Sequence, residues 1–183
     1  ESVLFAVERL SRGGEKEVAS AGEATLLAIA IDPILAAEMI YRAAPVVCYR
    51  IKHEVVAFVE RWHKRGTIDR ALRFMITSGR EEFAPFVWPL ITHKDNQIYL
   101  KALRAARRFR PSVLGADVME RVAKVPEGIR EHVVAEIASN SGYDGMELAV
   151  GLALRDPSAK VQIEVIEALQ FRRADRLVRE VLK

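Results

Sequence analysis

Large apolar residues recur about every 30 positions along this chain, and no other feature constrains its fold more. One series steps by 30 through Phe58, Trp88, Val118, Leu148 and Val178. A second series lies four residues, or one helical turn, further on and runs Trp62, Thr92, Val122, Leu152 and Leu182. A third runs Ile68, Ile98, Ile129 and Val161, followed four residues later by Leu72, Ala102, Val133 and Val165. A repeat of this length with two helices per unit predicts a solenoid, because each unit buries its apolar stripe by stacking on its neighbours.

Helical periodicity dominates between the repeat positions, so the predicted fold class is all-α. We expect amphipathic helices over 54–62, 96–109, 129–137 and 161–169, and one longer helix over 46–64. Breaks are predicted where proline, glycine and cap residues occur: Asp32-Pro33, Pro45, Gly66-Thr67, Ser78-Gly79, Pro111-Ser112, Pro126, Ser141-Gly142 and Asp156-Pro157-Ser158. Ser112 is expected to cap the helix after it, Pro126 and Pro157 to occupy first-turn positions, and Gly142 to Gly145 to form a turn.

Composition places the chain among soluble globular proteins. Of its 183 residues 50% are hydrophobic, and the formal net charge is only +3. The lone Cys48 excludes an intramolecular disulfide and is typical of a reducing compartment, so we expect a cytoplasmic protein. No uncharged stretch is long enough to span a membrane. The chain begins without Met, from which we expect a fragment or a processed product.

The repeat resembles the HEAT family in its first-helix signature. The stretch 156–169 reads Asp-Pro-Ser-Ala-Lys-Val-Gln-Ile-Glu-Val-Ile-Glu-Ala-Leu, an Asp-Pro turn followed by a Val, two aliphatics and an Ala-Leu pair. A second copy at 94–106 keeps the Asp without the Pro, and a weaker third spans 126–137. The resemblance implies a right-handed superhelix of antiparallel helix pairs, a single array over 1–183 in which 67–183 are clear repeats and 1–66 are diverged or capping units.

Enzyme signatures are absent from the sequence, and we expect neither a cofactor nor a metal. No phosphate-binding glycine loop, nucleophile elbow or His-Glu-x-x-His pair occurs. Glu60 and His63 form one Glu-x-x-His unit, but a di-iron bundle needs two such units and two further glutamates. Cys48 is expected to be a buried core residue. Trp62 and Trp88 are also expected to be core residues, ahead of any base-stacking role, because they belong to the repeat series.

Basic residues supply the strongest asymmetry in the sequence. Between Lys94 and Lys124 there are eight basic residues against three acidic ones. The candidate partner-binding residues are two arginine clusters: Arg104, Arg107, Arg108 and Arg110, and then Arg172, Arg173 and Arg176. Such clusters can contact phosphates, but arginines near helix C-termini also complement the helix dipole and cover apolar surface.

The expected function is a non-catalytic interaction scaffold for another protein or a neighbouring domain, since a solenoid builds an extended binding surface. Similar arrays occur beside nucleotide-hydrolysing domains in large bacterial proteins, so a piece of a regulatory protein is the expected context. The alternative is nucleic-acid binding, because one DNA glycosylase family resembles stacked HEAT-like pairs, with Asp95 or Asp156 then the candidate acid. A lyase or chromophore-attachment role, known for some HEAT-like proteins, has no support beyond the architecture.

Overall fold

The computed structural model describes residues 2–64, 68–93, 95, 98 and 109–182. In these residues the regular structure is helical, which confirms the all-α prediction, and the single β-type contact is an isolated bridge between Phe109 and Ser141. Packing divides the chain into two compact units, Glu1–Ser78 and Gly79–Lys183. The division falls inside the stretch 67–183 that the sequence assigns to clear repeats. No helix in the described part is long and apolar enough to cross a membrane.

Unit 1 consists of helix pairs. Its described helices are α1 (Ser2–Leu10), α2 (Glu15–Ile31), α3 (Pro33–Arg42), α4 (Pro45–Arg50), α5 (Lys52–Lys64) and α6 (Ile68–Ser78). Helix α1 packs on α3 and α2 packs on α4, while α6 packs on α3 and α5. The first 44 residues, which have no clear repeat in sequence, therefore also form packed helices, with α1 against both α2 and α3.

Unit 2 repeats this arrangement at its C-terminal end. Its described helices are α7 (Ala84–Ile91), α8 (Val118–Ala123), α9 (Glu127–Asn140), α10 (Tyr143–Arg155), α11 (Ala159–Phe171) and α12 (Asp175–Val181), with 3-10 turns at Glu81–Phe83 and Pro111–Leu114. Helix α9 packs on α11, and α10 packs on α12. The pair α9–α10 thus stacks on the pair α11–α12, first helix on first helix and second on second.

The members of the first 30-residue series lie in helices. Phe58, Trp88, Val118, Leu148 and Val178 lie in α5, α7, α8, α10 and α12. On the first helices, Leu72, Val133 and Val165 are at most 1% exposed. The predicted helices over 54–62, 129–137 and 161–169 are confirmed by α5, α9 and α11.

The predicted helix over 46–64 is wrong in one respect, because it divides at Ile51 into α4 and α5. Ile51 caps α4 with φ −100° and ψ 7°, and its side chain is only 3% exposed. A Cβ on Gly22 would lie 3.1 Å from the Ile51 side chain, so the missing Cβ of Gly22 makes room for this inward turn. Burial of Ile51 therefore accounts for the break.

Several predicted caps and turns are also corrected. Gly142 is the N-cap of α10, and Tyr143 to Gly145 already belong to its first turn. Ser112 lies inside a 3-10 turn and its hydroxyl donates to the carbonyl of Gly79 at 2.7 Å, so it caps no helix. Pro126 is the N-cap of α9, one residue before the helix begins.

The predictions for Pro157 and for a helix over 96–109 have different outcomes among the residues that the structure describes. Pro157 precedes Ser158, the N-cap of α11, so it too lies outside the helix. The predicted helix over 96–109 lies outside the described residues except for Ile98 and Phe109. Phe109 is not helical, because its N–H donates to the carbonyl of Asn140 at 2.9 Å.

Candidate functional site

The first predicted arginine cluster lies almost wholly outside the described residues. Arg104, Arg107 and Arg108 fall there, and only Arg110 is described. Arg110 is half-buried in extended backbone before the 3-10 turn, directly after Phe109. Because Phe109 pairs with the end of α9, the backbone of Arg110 lies next to that helix end.

The second predicted cluster surrounds the turn between α11 and α12, which we call the α11–α12 corner and define as Phe171, Arg172, Arg173 and Arg176. Phe171 is 87% exposed, although it ends a helix whose other face is buried. Arg173 and Arg176 are also exposed. Arg176 forms an ion pair with Glu180 at 3.7 Å, and this pair is itself exposed. The corner therefore presents an aromatic ring beside positive charge.

The backbone of the corner is fixed by its hydrogen bonds. The N–H of Ala174 donates to the carbonyl of Leu169, and that of Arg173 donates to Gln170, both at 2.9 Å. This is a Schellman end, in which the residue after the cap takes a left-handed conformation that glycine normally supplies. Here that residue is Arg173, with φ 56°. The chain therefore keeps a large cation where glycine would be less strained.

Arg172 has a structural role in the same corner. Its guanidinium donates to the carbonyls of Ser139 at 2.9 Å and of Ser141 at 3.2 Å. These carbonyls belong to the C-terminal end of α9, where a cation complements the helix dipole. The structure thus brings Arg172 to the same helix end as the backbone of Arg110.

A buried ion pair joins the two stacked helix pairs of unit 2. The side chains of Arg130 in α9 and Asp156 before α11 are 11% and 5% exposed. Arg130 donates from Nε to Oδ2 of Asp156 and from Nη2 to Oδ1 at 2.9 Å, and from Nη1 to the carbonyl of Val125 at 2.7 Å. The hydroxyl of Ser158 also donates to Glu127 at 2.6 Å, which ties the starts of α9 and α11 together.

The surroundings of Asp156 keep it ionised. Burial alone would raise the pKa of Asp156, but hydrogen bonds from Arg130 and from the N–H of Ser158, with the charge of Arg130, outweigh burial and hold the pKa below its ordinary value. The same hydrogen bond raises the pKa of Arg130. A cavity of about 320 Å³ lies beside the pair, with Met119, Leu152 and Arg155 among its walls.

The other residues singled out in the sequence are placed as follows. Trp88 is 7% exposed and its indole donates to the carbonyl of Leu114 at 2.9 Å, which confirms it as a core residue. Cys48 is 5% exposed, as predicted. Asp95 is exposed, with its N–H bonded to Nδ1 of His93. The side chain of His63 lies outside the described residues, and no group of three or more metal-ligating side chains occurs in the described part.

Trp62 is only half-buried and lines a cavity of about 530 Å³ that we call the unit 1 pocket. The pocket lies where the end of α2 and the start of α3 meet α5 and α6. Its wall combines aromatic, aliphatic and basic side chains, among them Phe58, Trp62, Ile31, Pro33, Arg70 and Arg73. No spacing in the sequence indicates this pocket, because its residues come from four helices.

No family model matches this sequence, and neither a curated protein nor a solved structure matches it. The resemblance to HEAT repeats therefore stays a prediction that is based on the residues quoted above.

Proposed function

We propose that the chain is a non-catalytic binding module, a HEAT-like α-solenoid that captures another protein or a neighbouring domain of the same polypeptide. In this proposal it is part of a bacterial regulatory protein and works in the cytoplasm. The stacking of α9–α10 on α11–α12, and of α1 on α3, supports the solenoid. The exposed α11–α12 corner is the observation that carries the binding role.

The exposed ring of Phe171 favours a binding role for the corner. Burying a phenylalanine side chain contributes about 1.5–3 kcal/mol. At 87% exposure Phe171 forgoes nearly all of this contribution in the free chain. A protein partner that covers the ring would recover it, and arginines beside an aromatic ring are typical of binding hot spots.

The backbone of the corner is also ordered before any partner binds. The Schellman end fixes the backbone after Phe171, and the bonds of Arg172 to α9 hold the corner against the neighbouring helix. A surface that is already ordered loses less conformational entropy on binding. Arg173 and Arg176 then supply positive charge, so we expect the partner to present acidic groups around an apolar recess.

Capture by the immobilised 183-residue chain from an extract of its source cells tests this proposal. The variant combines Phe171→Ala, Arg173→Glu and Arg176→Glu, and it leaves Arg172 unchanged because that side chain supports α9. We expect the captured protein, identified by mass spectrometry, to fall at least tenfold. The matched control reverses two exposed arginines elsewhere, Arg50→Glu and Arg61→Glu, and should capture normally.

Capture that is the same for the wild type and the corner variant would contradict the proposal, provided that both have the same melting temperature. The predicted contacts Arg104, Arg107 and Arg108 are tested in parallel by a triple Glu variant, which should also lose capture. The nucleic-acid alternative is tested with duplex DNA at two salt concentrations. Binding that weakens steeply with salt and is lost in the corner variant would replace the protein-binding proposal.

A further inference from the structure

The unit 1 pocket has an aromatic wall that is anchored in the core. The ring centroids of Phe58 and Trp62 are 4.1 Å apart, and Phe58 makes an edge contact with Phe74 at 5.6 Å. Phe74 is fully buried. This anchoring holds Phe58 and Trp62 at the cavity, and a volume of about 530 Å³ lies within the range of about 300–1,000 Å³ typical of ligand pockets.

Aliphatic surface continues out of the pocket on α2. Ile31 lines the pocket and is 85% exposed. Leu27, one helical turn earlier on the same face, is 67% exposed. Two neighbouring aliphatic side chains beside an aromatic wall form an apolar site for a large side chain of a ligand.

Positive charge lines the other side of the pocket. Arg70 and Arg73 are three residues apart on α6, so they lie on the same helix face, and both are exposed. Within the described residues neither guanidinium has a hydrogen bond or an ion pair. Planar guanidinium groups bind carboxylates through two parallel hydrogen bonds. The two arginines therefore supply an unused site for carboxylate groups.

Among the described residues of the pocket wall Asp32 is the acidic one, and it already has partners. Its carboxylate accepts from the N–H groups of Ile34 at 3.0 Å and Leu35 at 3.1 Å, as the N-cap of α3. It therefore leaves Arg70 and Arg73 available. Its negative charge and the aliphatic walls disfavour a polyphosphate or a nucleic-acid backbone, and they favour a ligand with apolar groups and few charges.

We propose that the unit 1 pocket binds a short acidic peptide segment of the partner, with a large apolar side chain against Trp62 and Ile31 and carboxylates on Arg70 and Arg73. This inference rests on the proposed protein-binding function and names the chemistry of one contact. It concerns a different unit of the chain from the α11–α12 corner, so each site has its own test.

Fluorescence anisotropy with labelled hexapeptides tests the inference. The probes have one acidic residue, Asp or Glu, on each side of two central residues, which are Leu, Ile, Met or Phe, and they have Gly at both ends. We expect at least one probe to bind the full chain saturably. The same peptide with Asn and Gln in place of Asp and Glu, or with Ala at the centre, should bind at least tenfold more weakly. If none of the acidic probes binds the wild-type chain, the inference is wrong.

Substitutions in the pocket assign the binding. Arg70→Glu with Arg73→Glu should weaken it at least tenfold, and so should Trp62→Ala. The control, Arg50→Glu with Arg61→Glu, changes the net charge by the same amount but outside the pocket wall. It should leave peptide binding unchanged. If the circular-dichroism signal shows that the Arg70→Glu, Arg73→Glu variant does not fold, Arg70→Gln with Arg73→Gln replaces it. That variant removes both positive charges without adding acidic groups. Equal binding by the pocket variants and the control would overturn the inference.

The result can be separated from that of the proposed function. Loss of peptide binding in the pocket variants while capture still depends on the corner supports both sites. Absence of peptide binding with corner-dependent capture rejects the pocket and keeps the function. The last outcome concerns an oligonucleotide that displaces the peptide and has the higher affinity of the two. That result would overturn the peptide assignment in favour of a nucleic-acid site.

Discussion

Replacing Asp156 with asparagine should lower the free energy of unfolding of unit 2 by about 3 kcal/mol, the lower end of the range for breaking a buried ion pair. Asparagine keeps the shape and can still accept from the N–H of Ser158, but it removes the charge opposite Arg130. Arg130 retains its bond to the carbonyl of Val125 and is 11% exposed, which limits the loss. The loss is still large beside the total stability of about 5–15 kcal/mol typical of a domain.

Urea unfolding followed by tryptophan fluorescence measures this effect. The experiment uses a Trp62→Phe background, so that Trp88 in the core of unit 2 is the remaining reporter. We expect the midpoint to fall with an unchanged slope, and the melting temperature of unit 2 to fall by about 14 °C, given its size. A loss below about 1 kcal/mol would show that the pair does not join the stacked helices as described.

A double-mutant cycle separates the pair from its surroundings. Arg130→Met leaves the Asp156 carboxylate 5% exposed with one backbone partner, and it should cost about 3–4 kcal/mol. The double variant should cost about 2 kcal/mol less than the sum of the single changes, because neither charge is then left unpaired. Additive costs would contradict the coupling between the two residues.

The pH dependence has a definite sign. Because the folded state holds the pKa of Asp156 below its ordinary value, its contribution is present above about pH 4 and is lost as the pH falls through the folded pKa. The difference in stability between wild type and Asp156→Asn should therefore be constant from about pH 5 to 8 and shrink on further acidification. A difference that grows on acidification would refute this sign.

Three further changes have defined expected outcomes in the same urea assay. Arg173→Gly should stabilise unit 2 by about 0.5–1 kcal/mol, since glycine suits the left-handed position; no gain would argue against the Schellman end. Gly145→Ala should cost about 1–3 kcal/mol, because its Cβ would overlap Ser141 and lie 2.8 Å from Pro111, and adding Ser141→Gly should restore part of the loss. Asp32 lies in unit 1, so its variants are followed with Trp62 as the reporter in a Trp88→Phe background. Asp32→Ala should cost about 1 kcal/mol through loss of the α3 cap, and Asp32→Asn clearly less.

Periodicity in the sequence was sufficient to predict the helical class and the positions of α5, α9 and α11. The apolar series depends on side chains that every unit must bury, so Val133 and Val165 are buried where predicted. Helix ends were less predictable, because they depend on tertiary contacts. Ile51 breaks a continuous helical pattern since its side chain is buried near Gly22 of another helix, and nothing in the local sequence indicates that contact.

The roles of the candidate functional residues also depend on tertiary contacts that the local sequence does not indicate. The sequence indicated Asp156 as a turn residue, and its bond to the N–H of Ser158 confirms this role. Its pairing with Arg130, 26 residues earlier, depends on the stacking of α9 on α11. In the sequence the charge of Arg172 places it in one cluster with its neighbours. In the structure its guanidinium donates hydrogen bonds to the carbonyl groups at the end of α9. Exposure of Phe171 had no signal in sequence.

Photo-crosslinking from position 171 tests the central claim most directly. A benzophenone amino acid replaces Phe171 in the source cells, and a matched chain carries it in place of Tyr49, which is 81% exposed in unit 1. We predict a discrete crosslinked protein from position 171 that is absent from position 49 and disappears when Arg173 and Arg176 are changed to Glu. No crosslink at 171 beyond that at 49, or one only to a second copy of the chain or to nucleic acid, would contradict the account.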